Sequence, residues 1–235
     1  MGSKARLSKE LAPIIQSYID ETNAIGYIEP FVGGANIIDK IKCDKRYGFD
    51  THRYLIALLQ KAQNDISDFP NIITEEVYNK VKNNKDNYED WFVGLIGFCS
   101  FGSKWFGGFR RSYNKDGTPK EETAGVINNL KKQAPNLKDI TFRCRDFRTI
   151  KPEKVNGYVI YCDPPYRGTT KYATDSFPYD EFYEWCRAMS KNNVVLISEY
   201  WMPDDFECIW EGKLKCTLDK DSRTDKTERL FKWKG

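Results

Sequence analysis

Gly26-Tyr27-Ile28-Glu29-Pro30-Phe31-Val32-Gly33-Gly34-Ala35-Asn36 decides the fold. It begins as a short apolar strand, passes through a turn rich in Pro and Gly, and feeds the helix-spaced Ile37, Ile38 and Ile41. Strand, glycine turn, helix is the opening unit of an α/β sheet. Arg46 to Asp50 repeats the logic as a second strand ending in an acid, and Leu55, Leu58, Leu59 and Ala62 mark a helix running from Thr51. Upstream, Leu7, Leu11, Ile14, Ile15, Tyr18 and Ile19 predict a helix that Pro13 either kinks or delays to about Ala12.

The pattern resumes at Ile140 to Cys144 and again at Gly157-Tyr158-Val159-Ile160-Tyr161-Cys162, an unbroken apolar run of the kind a parallel strand covered on both faces requires. Pro178 to Ser190 reads as a helix with Phe182, Cys186 and Met189 on one face. Val194 to Ile197, Leu214 to Leu218 and Leu230 to Trp233 read as the last strands. Between the two halves the texture changes to short helical stretches rich in Asn and Lys, then to glycines interleaved with aromatics from Trp91 to Gly108. That segment reads as inserted: residues 1–60 and 136–235 form one discontinuous domain, and 61–135 a helical and hairpin insertion.

Composition bounds the chemistry. The 235 residues are 40% hydrophobic, 30% charged and 14% aromatic, which excludes disorder and low complexity. No apolar run approaches the roughly 18 residues of a membrane span, and charges occupy Met1 to Glu10 where a signal peptide would be apolar, so a cytoplasmic protein is expected. The seven cysteines form no CxxC pair and read as reduced, mostly buried thiols, with no metal site expected. The single histidine, His52, argues against a His-rich metal centre or a Ser-His-Asp nucleophile and reads as a local hydrogen-bonding residue.

Open parallel sheets bind ligands at the carboxyl ends of their strands, and two such ends are chemically equipped. At the first, Gly33 and Gly34 permit close backbone approach and Asp50 ends the next strand, where an acid binds ribose hydroxyls. The spacing is not GxGxxG, so a nucleoside without a pyrophosphate fits better. At the second, Asp163-Pro164-Pro165-Tyr166 closes the apolar strand, offering a carboxylate and carbonyls in a chain stiffened by prolines that carry no N–H. A flat amine suits that array. Cys162 precedes it within the strand and reads as core.

Positive charge is local. Lys104 to Arg148 holds 11 Lys or Arg against 5 Asp or Glu, and Lys104, Arg110, Arg111 and Lys115 share a stretch without acids, interleaved with Trp105, Phe106, Phe109 and Tyr113. Cations mixed with rings suit phosphate contact plus stacking or base-edge contact. Asn114-Lys115-Asp116-Gly117 signals a hairpin tip that could probe a groove.

Pro30-Phe31-Val32-Gly33-Gly34 followed by Asp163-Pro164-Pro165-Tyr166 resembles the Dam-like (D12 class, alpha group) DNA adenine methyltransferases. Gly2-Ser3-Lys4 with Leu7 looks like that family's N-terminal cofactor motif, and Asp146-Phe147 is similar to its acid-aromatic pair contacting the cofactor's adenine. Ser198-Glu199-Tyr200 and Thr227-Glu228-Arg229-Leu230-Phe231 are shorter likenesses. Ala35 stands where many members have a third glycine.

The resemblance implies a Rossmann-like methyltransferase fold, S-adenosylmethionine as cofactor, double-stranded DNA as partner, and a bacterial or phage-infected cytoplasm, with a monomer expected. It implies Lys4, Glu29, Pro30, Phe31, Gly33, Gly34, Asn36, Asp50, Asp146, Phe147 and Asp163 as cofactor-binding residues. Asp163, Pro164, Pro165 and Tyr166 become catalytic, with Tyr166 stacking on a flipped adenine. Lys104, Arg110, Arg111, Tyr113, Asn114 and Lys115 become DNA contacts in a target-recognition insertion. The same amine geometry would serve RNA adenine or the N(4) amine of cytosine, and a catalytically silent DNA-binding module could keep the fold.

Overall fold

The computed structural model describes residues 4, 6–99, 105–109, 112–118, 120, 122–167, 177–214 and 226–235. Seven strands form its sheet: β1 (Gly26–Glu29), β2 (Arg46–Asp50), β3 (Ile140–Cys144), β4 (Tyr158–Cys162), β5 (Val194–Glu199), β6 (Phe206–Leu214) and β7 (Lys226–Trp233). Their order is β3-β2-β1-β4-β5-β7-β6. β1 to β5 run parallel, while β7 is antiparallel to both β5 and β6. This is a Rossmann-like sheet finished by an antiparallel pair, and its order reverses between β1 and β4.

Strand residues alternate between faces, and both faces are covered. Tyr27, Val159, Tyr161 and Leu196 join one core with Leu11 and Ile15 of α1 (Ser8–Thr22) and Leu58 and Leu59 of α2 (Arg53–Asn64). Ile28, Ile160, Cys162, Val195 and Ile197 join the other with Phe182, Cys186 and Met189 of α6 (Tyr179–Ser190). Two buried faces are why β4 and β5 lack polar alternation.

Three expectations are corrected. α1 starts before Pro13 and runs through it; Pro13 is exposed, so the Lys9 carbonyl that loses its N–H partner lies where water can replace it. Ile37, Ile38 and Ile41 are buried, yet only a single 3-10 turn, Ile38–Lys40, forms, because Ala35 has φ +56° and Ile41 is extended. The last strands are β6 from Phe206 and β7 from Lys226; residues 215–218, expected in a strand, lie outside the described residues.

α2 continues past residue 60 to Asn64, and the following segment contributes α3 (Glu75–Asn83), α4 (Asp90–Cys99) and α5 (Glu122–Gln133). α4 meets α2 at Gly94, where a Cβ would fall 2.1 Å from the Tyr54 carbonyl oxygen. Trp105 stacks on Tyr54 with ring centroids 5.2 Å apart, and Phe106 is buried. These two rings belong to the core and are not free to meet bases. Of the cysteines whose side chains are described, Cys162 and Cys186 are buried, Cys43 is half-buried, and Cys144 at the end of β3 and Cys208 on the edge strand β6 are exposed. Among the described residues no helix is long and apolar enough to cross a membrane.

Candidate active site

Parallel pairing brings the ends of β1, β2, β4 and β5 to one edge of the sheet. β7 runs the other way, with Arg229 opposite Glu199, so Glu228 enters the sheet at that same edge.

The glycine turn is tied to β2. Val32 N–H donates to the Phe49 carbonyl at 2.8 Å and Gly33 N–H to Asp50 Oδ2 at 3.2 Å, while Asp50 Oδ1 accepts from His52 N–H at 2.9 Å. Burial raises the Asp50 carboxyl above its usual range against these donors. Gly33 has φ +49°, and a Cβ there would meet nothing within 4 Å, so its backbone borders open space. From α5, Gln133 Nε2 lies 3.1 Å from the carbonyl oxygens of Gly34 and Ala35, a brace that no sequence signal announced. Glu29, buried at the end of β1, accepts from the Tyr27 hydroxyl at 2.8 Å, and burial pushes its carboxyl well up. Asn36 is half-buried beside Gly34, whose added Cβ would come 2.8 Å from Asn36 Nδ2. Pro30 is buried, and Phe31 packs at 5.6 Å from both Phe147 and Phe182.

At the end of β4 the structure assembles a cluster. Asp163 Oδ1 lies 3.2 Å from Lys4 Nζ, and the same ammonium bonds the Tyr166 hydroxyl and Glu228 Oε1. The Tyr166 hydroxyl also donates to Glu228. Burial raises the Asp163 carboxyl, Lys4 lowers it and Glu228 raises it. Burial, then Asp163 and Glu228, hold the Tyr166 phenol well above its ordinary range, so it stays a donor. Pro164 is buried, whereas the Pro165 carbonyl is already taken by the Tyr179 hydroxyl at 2.9 Å. Of the carbonyls this segment offers, Pro165's is therefore committed elsewhere. Lys4 sits with Asp163, and Glu228 completes the group; the sequence marked it only through the short likeness at Thr227 to Phe231.

Glu199, at the end of β5, accepts from Arg167 N–H at 2.8 Å and Tyr200 N–H at 2.7 Å, fixing the chain just after Tyr166. Burial pushes its carboxyl up to about 7. Tyr200 meets the Tyr166 ring edge-on at 4.7 Å. Asp146 accepts both guanidinium bonds of Arg148, at 2.8 and 2.9 Å, and Phe147 is buried among Phe31, Phe177, Phe182 and Trp185.

In the insertion, Lys104, Arg110 and Arg111 lie outside the described residues. The turn beyond them forms: Asn114 N–H donates to the Thr118 carbonyl at 2.8 Å, Gly117 N–H to the Asn114 carbonyl at 3.0 Å, and Gly117 has φ +82°. Tyr113, Asn114 and Lys115 are exposed on it.

The edge thus combines carboxylates at Glu29, Asp50 and Asp163 with the Phe31 ring and open backbone at Gly33. That set of acceptors suits a ligand carrying positive charge and a sugar diol, as S-adenosylmethionine does.

The model of the D12 class N6 adenine-specific DNA methyltransferases matches residues 1–206. The chain belongs to that family. Its methyl donor is S-adenosylmethionine, and its substrate is DNA. Among curated proteins none matches the sequence. Among solved structures, the rRNA methyltransferase aviRa from Streptomyces viridochromogenes is 9% identical, with 98% of this chain and 85% of that one covered and a TM-score of 0.46. TrmN from Thermus thermophilus is also 9% identical, over 94% of this chain and 48% of that one, with a TM-score of 0.38. SMU.1697c from Streptococcus mutans, solved in complex with SAH, is 11% identical over 94% and 97%, with a TM-score of 0.34.

Proposed function

We propose that this family member methylates the exocyclic N(6) amine of an adenine flipped out of double-stranded DNA, with Asp163 as the residue that receives the amine. The observation carrying this reading is the placement of Asp163: a charged acceptor at the end of β4, beside the point where strand order reverses, ion-paired to Lys4 and flanked by the Tyr166 ring.

An adenine amine is a weak nucleophile because its lone pair is delocalised into the ring. Hydrogen bonds from its two N–H groups to the Asp163 carboxylate and the Pro164 carbonyl would hold that pair on nitrogen. Tyr166 would stack on the extruded base, whose position inside a duplex no active site can reach. Bound S-adenosylmethionine supplies an electrophilic methyl group on a sulfonium. Glu29, Pro30, Phe31, Gly33, Gly34, Asn36 and Asp50 would hold it, with Asp146 and Phe147 lining its nucleobase end. Asp163 would take the proton that the methylated amine sheds. Residues 61–135 would form the target-recognition insertion, with Lys104, Arg110, Arg111, Tyr113, Asn114 and Lys115 on the DNA.

Competition decides between nucleic acids. Transfer of tritiated methyl groups to unmethylated duplex DNA should be suppressed by unlabelled duplex and untouched by structured RNA. Suppression by RNA alone would assign the enzyme to RNA.

A further inference from the structure

We propose that Glu228, acting through Lys4, is a positioning residue that sets the charge and orientation of the Asp163–Tyr166 pair. The inference rests on the reading of Asp163 as the acceptor of the adenine amine. Glu228 lies beyond the residues that match the family model and reaches the site only because β7 is antiparallel.

The Glu228 side chain is 1% exposed and that of Lys4 11%, so neither charge is solvated, and each depends on the other. One ammonium is shared by two carboxylates, Asp163 at 3.2 Å and Glu228, while Glu228 also holds the Tyr166 hydroxyl. The Lys4 carbonyl accepts from Ser8 N–H at 2.7 Å, which joins the lysine to the start of α1. Three segments distant in sequence therefore fix one another.

Asp163 faces Lys4 from the segment before α1, Glu29 from β1, Tyr161 from β4, Glu199 from β5, Glu228 from β7 and Tyr166 from its own loop. Within this ring of acids and phenols, Lys4 favours an ionised Asp163 and Glu228 opposes it. Only the ionised form presents acceptors alone to the amine. Removing Lys4 or Glu228 should thus shift the acid limb of the reaction in opposite directions, which loss of packing would not do.

The test uses the full chain, unmethylated genomic DNA and tritiated S-adenosylmethionine, with single-turnover methylation followed from pH 5 to 9. Lys4→Met should move the acid-limb midpoint up by about one pH unit or more, Lys4→Arg should keep it, and Glu228→Gln should move it down. Wild-type midpoints in both Lys4→Met and Glu228→Gln, whatever the loss of rate, overturn the proposal. Should Glu228→Gln not fold, Glu228→Asp replaces it: the charge remains but its reach is shorter, and methylation should slow at least about tenfold with cofactor affinity unchanged. A wild-type rate in that variant overturns the proposal as well. Asp163→Asn separates the two readings. If it is inactive while the midpoints stay put, only the role of Glu228 falls; if it is active, the reading of Asp163 itself falls.

Discussion

Asp50 Oδ2 accepts the backbone N–H of Gly33 at 3.2 Å, so the acid at the end of β2 and the glycine turn after β1 are one hydrogen-bonded unit. The carboxylate positions the turn and, in our account, also receives the cofactor's ribose. Hydrogen bonds to a charged group contribute about 1.5–3 kcal/mol, so Asp50→Ala should weaken S-adenosylmethionine binding about tenfold to 150-fold. Asp50→Asn should fall between. Calorimetry showing unchanged affinity would remove Asp50 from the site.

Ala35 is buried with φ +56°, a conformation that costs a Cβ-bearing residue about 1–2 kcal/mol. Glycine relieves that strain but gains freedom in the unfolded chain, worth roughly 0.4–1 kcal/mol. Ala35→Gly should therefore leave stability unchanged or raise it by up to about 1.6 kcal/mol in urea unfolding. A loss beyond about 1 kcal/mol would mean that the methyl group's packing matters more than the strain.

Glu199 is buried, and its carboxyl is pushed up to about 7 from an ordinary 4.5. Between those values the folded protein holds a proton that the unfolded chain has released. The group thus leaves stability untouched below about pH 4.5 and costs up to about 3 kcal/mol once pH passes 7. The unfolding free energy of wild type relative to Glu199→Gln should accordingly fall between pH 5 and pH 8. A difference independent of pH would contradict this.

Arg110 and Arg111 supply uncompensated charge just before the Asn114–Thr118 turn. Replacing both by alanine should either weaken binding to all duplexes and flatten its salt dependence, as lost phosphate contacts do, or relax preference at one base position. A variant with unchanged affinity, salt slope and site preference would place recognition elsewhere.

The sheet was legible because its strands announce themselves. Gly26 to Ile28, Tyr158 to Cys162 and Val194 to Ile197 run without a charged residue, and only a strand buried on both faces tolerates that. The two strand-end motifs were legible because glycines and prolines are read by backbone geometry. The tie between Asp50 and Gly33 required the strand order, and the convergence of Glu228 on Lys4 required knowing that β7 runs backwards. Gln133 was invisible for the same reason: a lone amide in a helix carries no local pattern. Trp105 misled because an aromatic beside basic residues looks the same whether it faces a base or Tyr54.

Nucleoside analysis of DNA is the most direct measurement. After incubation of the wild-type chain with S-adenosylmethionine and unmethylated duplex DNA, enzymatic digestion and mass spectrometry should reveal N(6)-methyladenine. Asp163→Ala should yield none while largely retaining S-adenosylmethionine binding. N(4)-methylcytosine as the product, no methylated base at all, or an Asp163→Ala variant retaining more than about a tenth of the wild-type rate, a barrier increase below about 1.4 kcal/mol, would contradict the account.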